Sequence, residues 1–244
     1  DQPSLERRIG PEAARRAWDI AEEGKAQLRA FCATAPETGY RPGMAHGAYT
    51  AAELAAGRAA IAHLARAYGY DQIDMSADFG ALVRSPRYRG GWIDRGGGHL
   101  HPLRYALALA RTAEASGAVI HERSEVTAIT RGRQVTLRTA QGAVTADHAI
   151  IAGNGYLPRI ERALAARIMP INSFIAATEP LPDRWQTVLA EDIAVSDSKF
   201  VVNYYRFSED RRFLFGGRES YGLGFPRDIR GPLVARMLGL FPQL

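Results

Sequence analysis

The first third of the chain carries apolar residues at helical spacing. Pro11 follows Gly10 at a position typical of a first helical turn, and apolar positions then recur after three, four and seven residues. These positions are Ala14, Ala17, Ala21, Leu28 and Phe31. They predict one long helix that ends near Cys32.

A capping signal predicts a second helix. Thr50 precedes Glu53 by three residues, the spacing at which each side chain can accept a hydrogen bond from the other residue's backbone N–H. One face of the helix is then marked by Leu54, Ile61, Leu64 and Tyr68. Gly69 is a typical stop signal, so the helix is expected to end there.

The middle of the chain changes from a helical to a strand pattern. A helix is predicted from Pro102 to Gly117. Alternating residues then predict short strands at 118–121, 125–129, 134–139 and 143–146. Residues 148–152 form an apolar run typical of a buried parallel strand, closed by Gly153-Asn154-Gly155.

The last third of the chain is rich in β-branched and aromatic residues. Strands are predicted at 171–178, 200–207 and 212–215, with residues 208–211 as the hairpin turn between the last two. A final helix is predicted at 232–240.

Composition places the chain among globular proteins. With 244 residues and 46% hydrophobic content, it can form one large or two small domains. No apolar run approaches the roughly 20 residues of a membrane span, so no membrane partner is expected. Cys32, the single cysteine, excludes an internal disulfide and a cysteine-based metal cluster. A lone thiol fits a reducing cytosol, and a cytoplasmic location is therefore expected.

The net positive charge of the chain does not by itself indicate nucleic-acid binding. The formal charge is 31 − 26 = +5, but Lys25 and Lys199 are the only lysines, so 29 of the 31 basic residues are arginine. These arginines are interleaved with acidic residues and form no basic run with stacking aromatics. No nucleic-acid partner is expected.

Small residues after the apolar run at 148–152 suggest a place for a cofactor. Alanine and glycine at the carboxyl end of a strand leave room for a diphosphate or a ring. A first-strand dinucleotide fingerprint is excluded, because Pro158 stands where the third glycine and the helix should be. A later strand of a flavin domain is the better interpretation.

Two histidines, His99 and His101, flank Leu100 and share one face of an extended segment. A metal site would need further ligands, for which Asp94 and His121 are unsupported candidates, so no metal is predicted. We expect one histidine to cap the helix at Pro102 and the other to be packed or to contact substrate, and His99 is the predicted substrate-binding residue. No residue pattern identifies a catalytic base, and no Gly-x-Ser-x-Gly nucleophile turn occurs.

A second candidate substrate site lies at Tyr204-Tyr205-Arg206. Alternation along a strand places Tyr204 and Arg206 on one face and Tyr205 on the other. An aromatic wall with a guanidinium suits an amine that carries a carboxylate, so Tyr204 and Arg206 are predicted to bind substrate. The alternative is a surface arginine beside core tyrosines.

Short motifs follow one another along the chain in a recognisable order. They are Tyr40-Arg41-Pro42-Gly43, Tyr88-Arg89-Gly90-Gly91, Gly97-Gly98-His99-Leu100-His101-Pro102, Ser124-Glu125-Val126-Thr127-Ala128-Ile129, Ala152-Gly153-Asn154-Gly155-Tyr156-Leu157, Tyr204-Tyr205-Arg206, Phe215-Gly216-Gly217 and Phe241-Pro242-Gln243-Leu244. This order resembles the FAD-dependent amine and amino-acid oxidoreductases of the D-amino-acid oxidase/glycine oxidase superfamily. Within it, the gamma-glutamylputrescine oxidoreductase branch is the most similar.

The resemblance implies an α/β fold of mixed α+β type with two interleaved domains. Residues 1–94 and 156–244 would form an antiparallel-sheet substrate domain, and residues 95–155 the central part of an FAD-binding domain of glutathione-reductase-like type. It also implies a Gly-x-Gly-x-x-Gly turn before Asp1 and a flavin-covering segment after Leu244. This chain is therefore expected to be the middle of a longer one.

The resemblance further implies sites and a reaction. The backbone of Val126 would contact adenine, and Ala152, Gly153 and Asn154 would lie near the diphosphate or ribityl chain of FAD. The implied activity is oxidation of an amine or amino-acid C–N bond to an imine, with molecular oxygen as the acceptor and hydrogen peroxide as product. Alternatives are Val126 as a plain core residue, a nicotinamide-dependent Rossmann dehydrogenase, and a non-catalytic subunit of a flavoprotein oxidase.

Overall fold

The α-helices begin and end close to where the sequence pattern places them. The computed structural model describes residues 2–75, 78–156, 160–169, 171–222 and 224–244. Leu157 and Pro158, to which two of the sequence arguments refer, lie outside the described residues. The helices are α1 (Gln2–Ile9), α2 (Pro11–Thr34), α3 (Ala51–His63), α4 (Phe79–Leu82), α5 (Pro102–Ala115), α6 (Arg162–Ala165) and α7 (Arg230–Leu240).

The helix signals in the sequence are confirmed. The Thr50 hydroxyl accepts a hydrogen bond from the Glu53 backbone N–H, and the Glu53 carboxylate accepts one from Thr50 in return, which makes a complete capping box. After α3 a wider turn, Leu64–Tyr68, carries the chain to Gly69 in the left-handed conformation. Cys32 is buried on α2, as its apolar face predicts. None of the helices in the described ranges is long and apolar enough to cross a membrane.

The strands of the described residues form two sheets. They are β1 (Arg41–Ala48), β2 (Ile73–Asp74), β3 (Gly90–His99), β4 (Ala128–Thr130), β5 (Val135–Arg138), β6 (Ala143–Ala146), β7 (Asn172–Pro180), β8 (Ala194–Asp197), β9 (Tyr204–Phe207) and β10 (Arg212–Ser220). The larger sheet has the order β2-β3-β1-β8-β9-β10-β7, and the smaller has the order β4-β5-β6. β1 and β8 are parallel, whereas β1 and β3, β8 and β9, and β9 and β10 are antiparallel. The fold is therefore mixed α/β, as expected.

Two of the predicted strands are wrong. Residues 118–121 and 148–152 are not strands, and Ile150 is 93% exposed. An apolar run becomes a buried strand only when neighbouring strands satisfy its backbone, and no strand in the described ranges pairs with either segment. The strand predicted at 125–129 is also shorter than expected, since β4 begins at Ala128 and Val126 lies before it.

The strand predicted at 200–207 begins only at Tyr204. Asp197 explains the difference, because its Oδ1 accepts hydrogen bonds from the backbone N–H groups of Lys199 (3.2 Å) and Asn203 (3.0 Å). The chain therefore turns around this carboxylate before it can join the sheet. Phe200, within the turn, is 91% exposed.

The glycine-rich segment before His99 forms the long strand β3, which the sequence pattern did not predict. Its glycines allow a close approach, and at Gly91, Gly96 and Gly98 an approaching group is an aromatic ring of the same chain. The ring of Tyr40 lies over Gly98, where an added Cβ would overlap it. The density of glycine here is therefore explained by packing within the fold.

The core of the larger sheet is built from aromatic rings on β9, β10 and α7. The ring of Tyr205 stacks on Phe215 (centroid distance 6.0 Å) and meets Phe241 edge-on (5.0 Å). Leu233, Met237 and Leu240 of α7 are buried on the same cluster. Tyr205 thus lies in the core, on the face of β9 opposite Tyr204 and Arg206.

A buried carboxylate lies at the end of β8. Asp197 is 2% exposed, and its Oδ2 accepts hydrogen bonds from Asn203 Nδ2 (2.5 Å), the Tyr49 hydroxyl (2.6 Å) and the Tyr88 hydroxyl (3.3 Å). Together with the two backbone N–H groups that donate to Oδ1, these contacts link β8 to Tyr49 after β1, to Tyr88 before β3 and to Asn203 before β9. Burial and the neighbouring Asp197 raise the pKa of Tyr49, so this hydroxyl is held as a donor.

The chain divides into two compact units. Unit 1 comprises residues 1–109, 173–219 and 226–244, and unit 2 comprises residues 110–172 and 220–225. Unit 1 contains the larger sheet and its aromatic core. Unit 2 contains the smaller, three-stranded sheet.

Candidate active site

Unit 1 contains a cavity of about 690 Å³. Its walls come from strands β1, β7, β8, β9 and β10, from His99 at the end of β3 and from the first turn of α5. A cavity of this size, lined by aromatic and aliphatic side chains with a few charged groups, is typical of a small-molecule site. Three predicted substrate-binding residues, His99, Tyr204 and Arg206, all line it.

Tyr204 forms one wall of the cavity. Its ring lies flat over Gly216 of the neighbouring strand β10, where an added Cβ would overlap the ring. Its hydroxyl is 2.8 Å from the hydroxyl of Ser173 on β7. Two contacts from two strands thus hold the ring in place.

Substitution of Gly216 by alanine tests this packing. Because the new methyl group would overlap the Tyr204 ring, we expect the free energy of unfolding to fall by about 1–3 kcal/mol. Gly24→Ala in α2 is the matched control, since nothing lies within 4 Å of its Cβ position. In a helix interior this change should stabilise by about 0.5–1 kcal/mol. Urea unfolding that shows the same effect for both variants would contradict the packing described.

Arg206 is a half-buried cation that lacks an acidic partner. Among the described residues, no carboxylate lies within ion-pair distance of its guanidinium, and its hydrogen-bond partner is the His99 ring, with 3.1 Å between Nη1 and Nδ1. Burial lowers the pKa of Arg206, and the charge of the Asp192 carboxylate opposes this shift. Such a group is suited to pairing with an anion that enters the cavity.

His99 is placed between Arg206 and the loop before β8. Its Nε2 is 3.4 Å from the carbonyl oxygen of Asp192. The side chain of Asp192 in turn pairs with Arg211 (2.8 Å) and Arg41 (3.4 Å). Sequence reasoning assigned neither Asp192 nor Arg41 to the site: Arg41 was noted only within the motif Tyr40-Arg41-Pro42-Gly43, and Asp192 lies in no motif or periodic pattern.

The buried histidines predict a pH dependence of stability. Burial lowers the pKa of His46 and of His99 from the ordinary value of 6.5. Just below pH 6.5 the unfolded chain therefore binds more protons than the folded chain. The free energy of unfolding should accordingly fall as the pH is lowered from 6.5 to 5.5. This window lies above the range in which ordinary carboxyl groups titrate.

Urea midpoints measured across this window test the prediction. His46→Gln should make the dependence shallower, because it removes one of the two groups. Stability that rises as the pH falls from 6.5 to 5.5 would be the opposite of the expected sign.

The other histidine of the pair has a structural role. His101 Nδ1 accepts a hydrogen bond from the backbone N–H of Arg104 (3.4 Å) in the first turn of α5, so the expectation that one histidine caps this helix is confirmed. Arg104 itself pairs with Glu209 of the β9–β10 turn at 2.6 Å, and both line the cavity. Within the described ranges, no three His, Cys, Asp or Glu side chains lie close enough together to hold a metal ion.

Unit 2 contains the predicted cofactor residues. Val126 is half-buried beside the smaller sheet, and Ala152, Gly153 and Asn154 follow the exposed apolar run. Asn154 has a φ of 47°, in the left-handed region, and begins the short helical turn Asn154–Tyr156. The four residues are thus in one compact unit, while the three predicted substrate residues are in the other.

Comparison with known proteins decides the family. The family model described as "FAD dependent oxidoreductase" (DAO) matches residues 4–244, which is nearly the whole chain. The chain belongs to this family. The superfamily expected from the motif order is therefore confirmed, and FAD is the cofactor of the family.

Curated relatives of this family member are longer proteins. The probable oxidoreductase OrdL of Rhizobium meliloti (strain 1021) is 35% identical over 240 residues, which is 97% of this chain and 56% of that protein. Gamma-glutamylputrescine oxidoreductase of Escherichia coli (strain K12) is 37% identical over 182 residues, 72% of this chain and 42% of that protein. The chain spans about half the length of these curated relatives.

Solved structures share the fold. L-proline dehydrogenase from P. horikoshii superposes with a TM-score of 0.69 at 16% identity, covering 91% of this chain and 62% of that one. Glycine oxidase from Geobacillus kaustophilus has a TM-score of 0.62 at 20% identity, covering 96% and 63%. The mixed α/β architecture of this family member is therefore that of known oxidoreductases.

The residues of unit 2 fit the cofactor of the family. Among the described residues, the backbone N–H and C=O of Val126 form no hydrogen bond, whereas the next residue, Thr127, donates to Arg138 (2.8 Å). A free donor and acceptor on one residue match the edge of adenine. Ala152 is exposed and Gly153 has no side chain, so a diphosphate or ribityl chain can approach the backbone there.

Proposed function

We propose that this chain is part of an FAD-dependent oxidoreductase that oxidises the C–N bond of an amine carrying a carboxylate, such as an amino acid or a gamma-glutamyl amine. One observation carries the proposal. Arg206 presents a half-buried guanidinium to a cavity of small-molecule size, and no carboxylate in the described part of the chain lies within ion-pair distance of it.

A carboxylate on the substrate would complete the electrostatics of this cavity. A charge held partly out of water is unfavourable until it is paired, and arginine can pair with a carboxylate through two parallel hydrogen bonds. The ring of Tyr204 supplies an apolar wall for the carbon chain of the substrate. Together, the two side chains can orient an amine by its acidic end.

The residues of this chain bind and orient, while the cofactor supplies the redox chemistry. Val126, Ala152, Gly153 and Asn154 would hold part of FAD, and the bound cofactor would supply the electron-accepting group of the family. Oxidation of the amine removes two electrons and two protons and gives an imine, which water hydrolyses to a carbonyl compound and ammonia or an amine. We propose molecular oxygen as the final acceptor, which gives hydrogen peroxide. No residue is assigned as a base.

The domain assignment is also a proposal. We assign residues 1–94 and 156–244 to the substrate domain and residues 95–155 to the central part of the FAD domain. Unit 1 combines three separate segments, as interleaved domains would, but its bounds differ from the proposed ones, because residues 95–109 belong to unit 1 and residues 156–172 and 220–225 to unit 2. We also propose that the protein belongs to the gamma-glutamylputrescine oxidoreductase branch, which 37% identity to the E. coli enzyme supports. A cytoplasmic location is proposed as well, and the single buried thiol supports it.

Pairs of amines test the proposed function. The purified protein should show flavin absorption and release peroxide with gamma-glutamylputrescine, sarcosine or glycine. Each is compared with a counterpart that lacks the carboxylate, namely N-acetylputrescine, dimethylamine and methylamine. We expect the carboxylate-bearing member of at least one pair to be preferred by tenfold or more in kcat/KM, since an Arg–carboxylate pair contributes about 1.5–3 kcal/mol.

Three results would contradict the proposal. Equal turnover within every pair would remove the carboxylate from the substrate class. Flavin absorption without turnover of any amine would favour the non-catalytic subunit. Turnover without bound flavin would point to the nicotinamide alternative, which the family match does not support.

A further inference from the structure

We propose that His99 is a positioning residue that holds the Arg206 guanidinium in place to receive the substrate carboxylate. The inference rests on the proposed function and deepens it, because it assigns to His99 an indirect role in substrate selection. It rests on the two hydrogen bonds of the imidazole ring, one with Arg206 and one with the backbone carbonyl of Asp192.

The neighbours of His99 specify one tautomer. A backbone carbonyl can only accept a hydrogen bond, so the contact between Nε2 and the Asp192 oxygen requires a proton on Nε2. A guanidinium can only donate, so the contact with Arg206 Nη1 requires a lone pair on Nδ1. Both requirements are met by the neutral ring with its proton on Nε2, and by no other form.

The imidazolium is disfavoured at the same place. A proton on Nδ1 would face the N–H groups of Arg206, and the charge of Arg41 on β1 lies nearby. Burial lowers the pKa of His99; Arg206 and Arg41 lower it further, whereas Asp192 opposes them. The facing groups from β9, β1 and the loop before β8 therefore favour the neutral acceptor near neutral pH.

Asp192 anchors the outer side of this arrangement. Its side chain, 14% exposed, pairs with Arg211 of the β9–β10 turn and with Arg41, which is paired in register with His99 on the neighbouring strand. The carbonyl that orients His99 thus belongs to a residue whose side chain is paired with β1 and with the β9–β10 turn. A fixed ring can in turn fix the long side chain of Arg206.

The consequence is a guanidinium with free donors in a defined direction. Arginine has five N–H groups, and the hydrogen bond to His99 uses one of them. The remaining donors include those needed for a bidentate carboxylate pair. Restricting the rotamers before substrate arrives lowers the entropy cost of binding.

Nitrogen NMR determines the tautomer of the His99 ring and does not depend on enzyme activity. In the purified protein with ¹⁵N-labelled histidine at pH 7.5, the His99 ring, assigned from its absence in His99→Gln, should show a protonated Nε2 and an unprotonated Nδ1. A proton on Nδ1, in either the other tautomer or the imidazolium, would overturn the inference.

Kinetics separate positioning from general stability. In the flavin-loaded protein, His99→Leu should raise KM at least tenfold for the carboxylate-bearing amine of the active pair and change it less than twofold for the counterpart, with kcat little altered. His99→Gln should restore KM to within about threefold of the wild type, since its side-chain oxygen can accept from Arg206. The control is His63→Leu. It removes a half-buried histidine of α3 whose ring is hydrogen-bonded to Glu6 of α1.

Failure of the inference and failure of the proposed function give different results. If Arg206→Ala discriminates between the paired amines but His99→Leu affects both equally, His99 has no positioning role and the proposed function stands. If Arg206→Ala itself affects both amines equally, the proposed carboxylate site is wrong, whatever the tautomer of His99.

Discussion

Replacing Asp197 by alanine is expected to lower the free energy of unfolding by about 3–5 kcal/mol. The carboxylate accepts five hydrogen bonds at 2% exposure, and the alanine variant leaves the hydroxyls of Tyr49 and Tyr88 and the amide of Asn203 without their acceptor. The backbone N–H groups of Lys199 and Asn203 lose their partner as well. Urea unfolding monitored by circular dichroism measures the change.

Two further variants make this test specific. Asp197→Asn keeps one carbonyl oxygen and should lose less than the alanine variant. Asp19→Ala removes a carboxylate whose ion pair with Arg15 is exposed, so it should change stability by about 0.5 kcal/mol or less. An Asp197→Ala variant as stable as Asp19→Ala would show that the buried network contributes little.

Replacing Arg206 by alanine should raise KM for a carboxylate-bearing amine by about 30-fold or more. Removal of one partner from a buried charge pair costs about 2–5 kcal/mol, which corresponds to factors of about 30 to several thousand. The KM of the uncharged counterpart should change by less than about threefold, because that amine makes no pair with the guanidinium. Steady-state kinetics with both amines measures the difference.

Variants of neighbouring groups sharpen the result. Arg206→Lys keeps the charge and loses the planar fork, so it should lie between alanine and the wild type. Arg212→Ala removes an exposed arginine of the same hairpin that pairs with Asp210, and it should leave both KM values unchanged. Equal losses for both amines in Arg206→Ala would remove its proposed role.

Local pattern was sufficient for some parts of the structure. The capping box at Thr50, the helix from Pro11 and the alternation at Tyr204, Tyr205 and Arg206 depend on residues within a few positions of one another. Periodicity determines which side chains share a face, so it correctly separated the cavity face of β9 from its core face. The contribution of each residue to catalysis is not contained in that pattern and stays a prediction.

Long-range contacts account for what the pattern missed. Asp192 meets Arg41 across 151 positions of sequence, and Ser173 meets Tyr204 across 31. The apolar run at 148–152 has the composition of a buried strand, yet a strand also needs partners, which no local pattern specifies. The glycines of β3 leave room for a close neighbour, and only the fold shows that the neighbour at Gly98 is the ring of Tyr40.

The central claim is that Arg206 receives the carboxylate of the substrate within the cavity of unit 1. A crystal structure of the flavin-loaded protein with gamma-glutamylbutylamide tests it most directly, because this compound keeps the gamma-glutamyl carboxylate and lacks the terminal amine. We expect the ligand to lie against Tyr204, with its carboxylate oxygens about 2.8 Å from the guanidinium nitrogens of Arg206. A ligand bound elsewhere, or one whose carboxylate points away from Arg206, would contradict it.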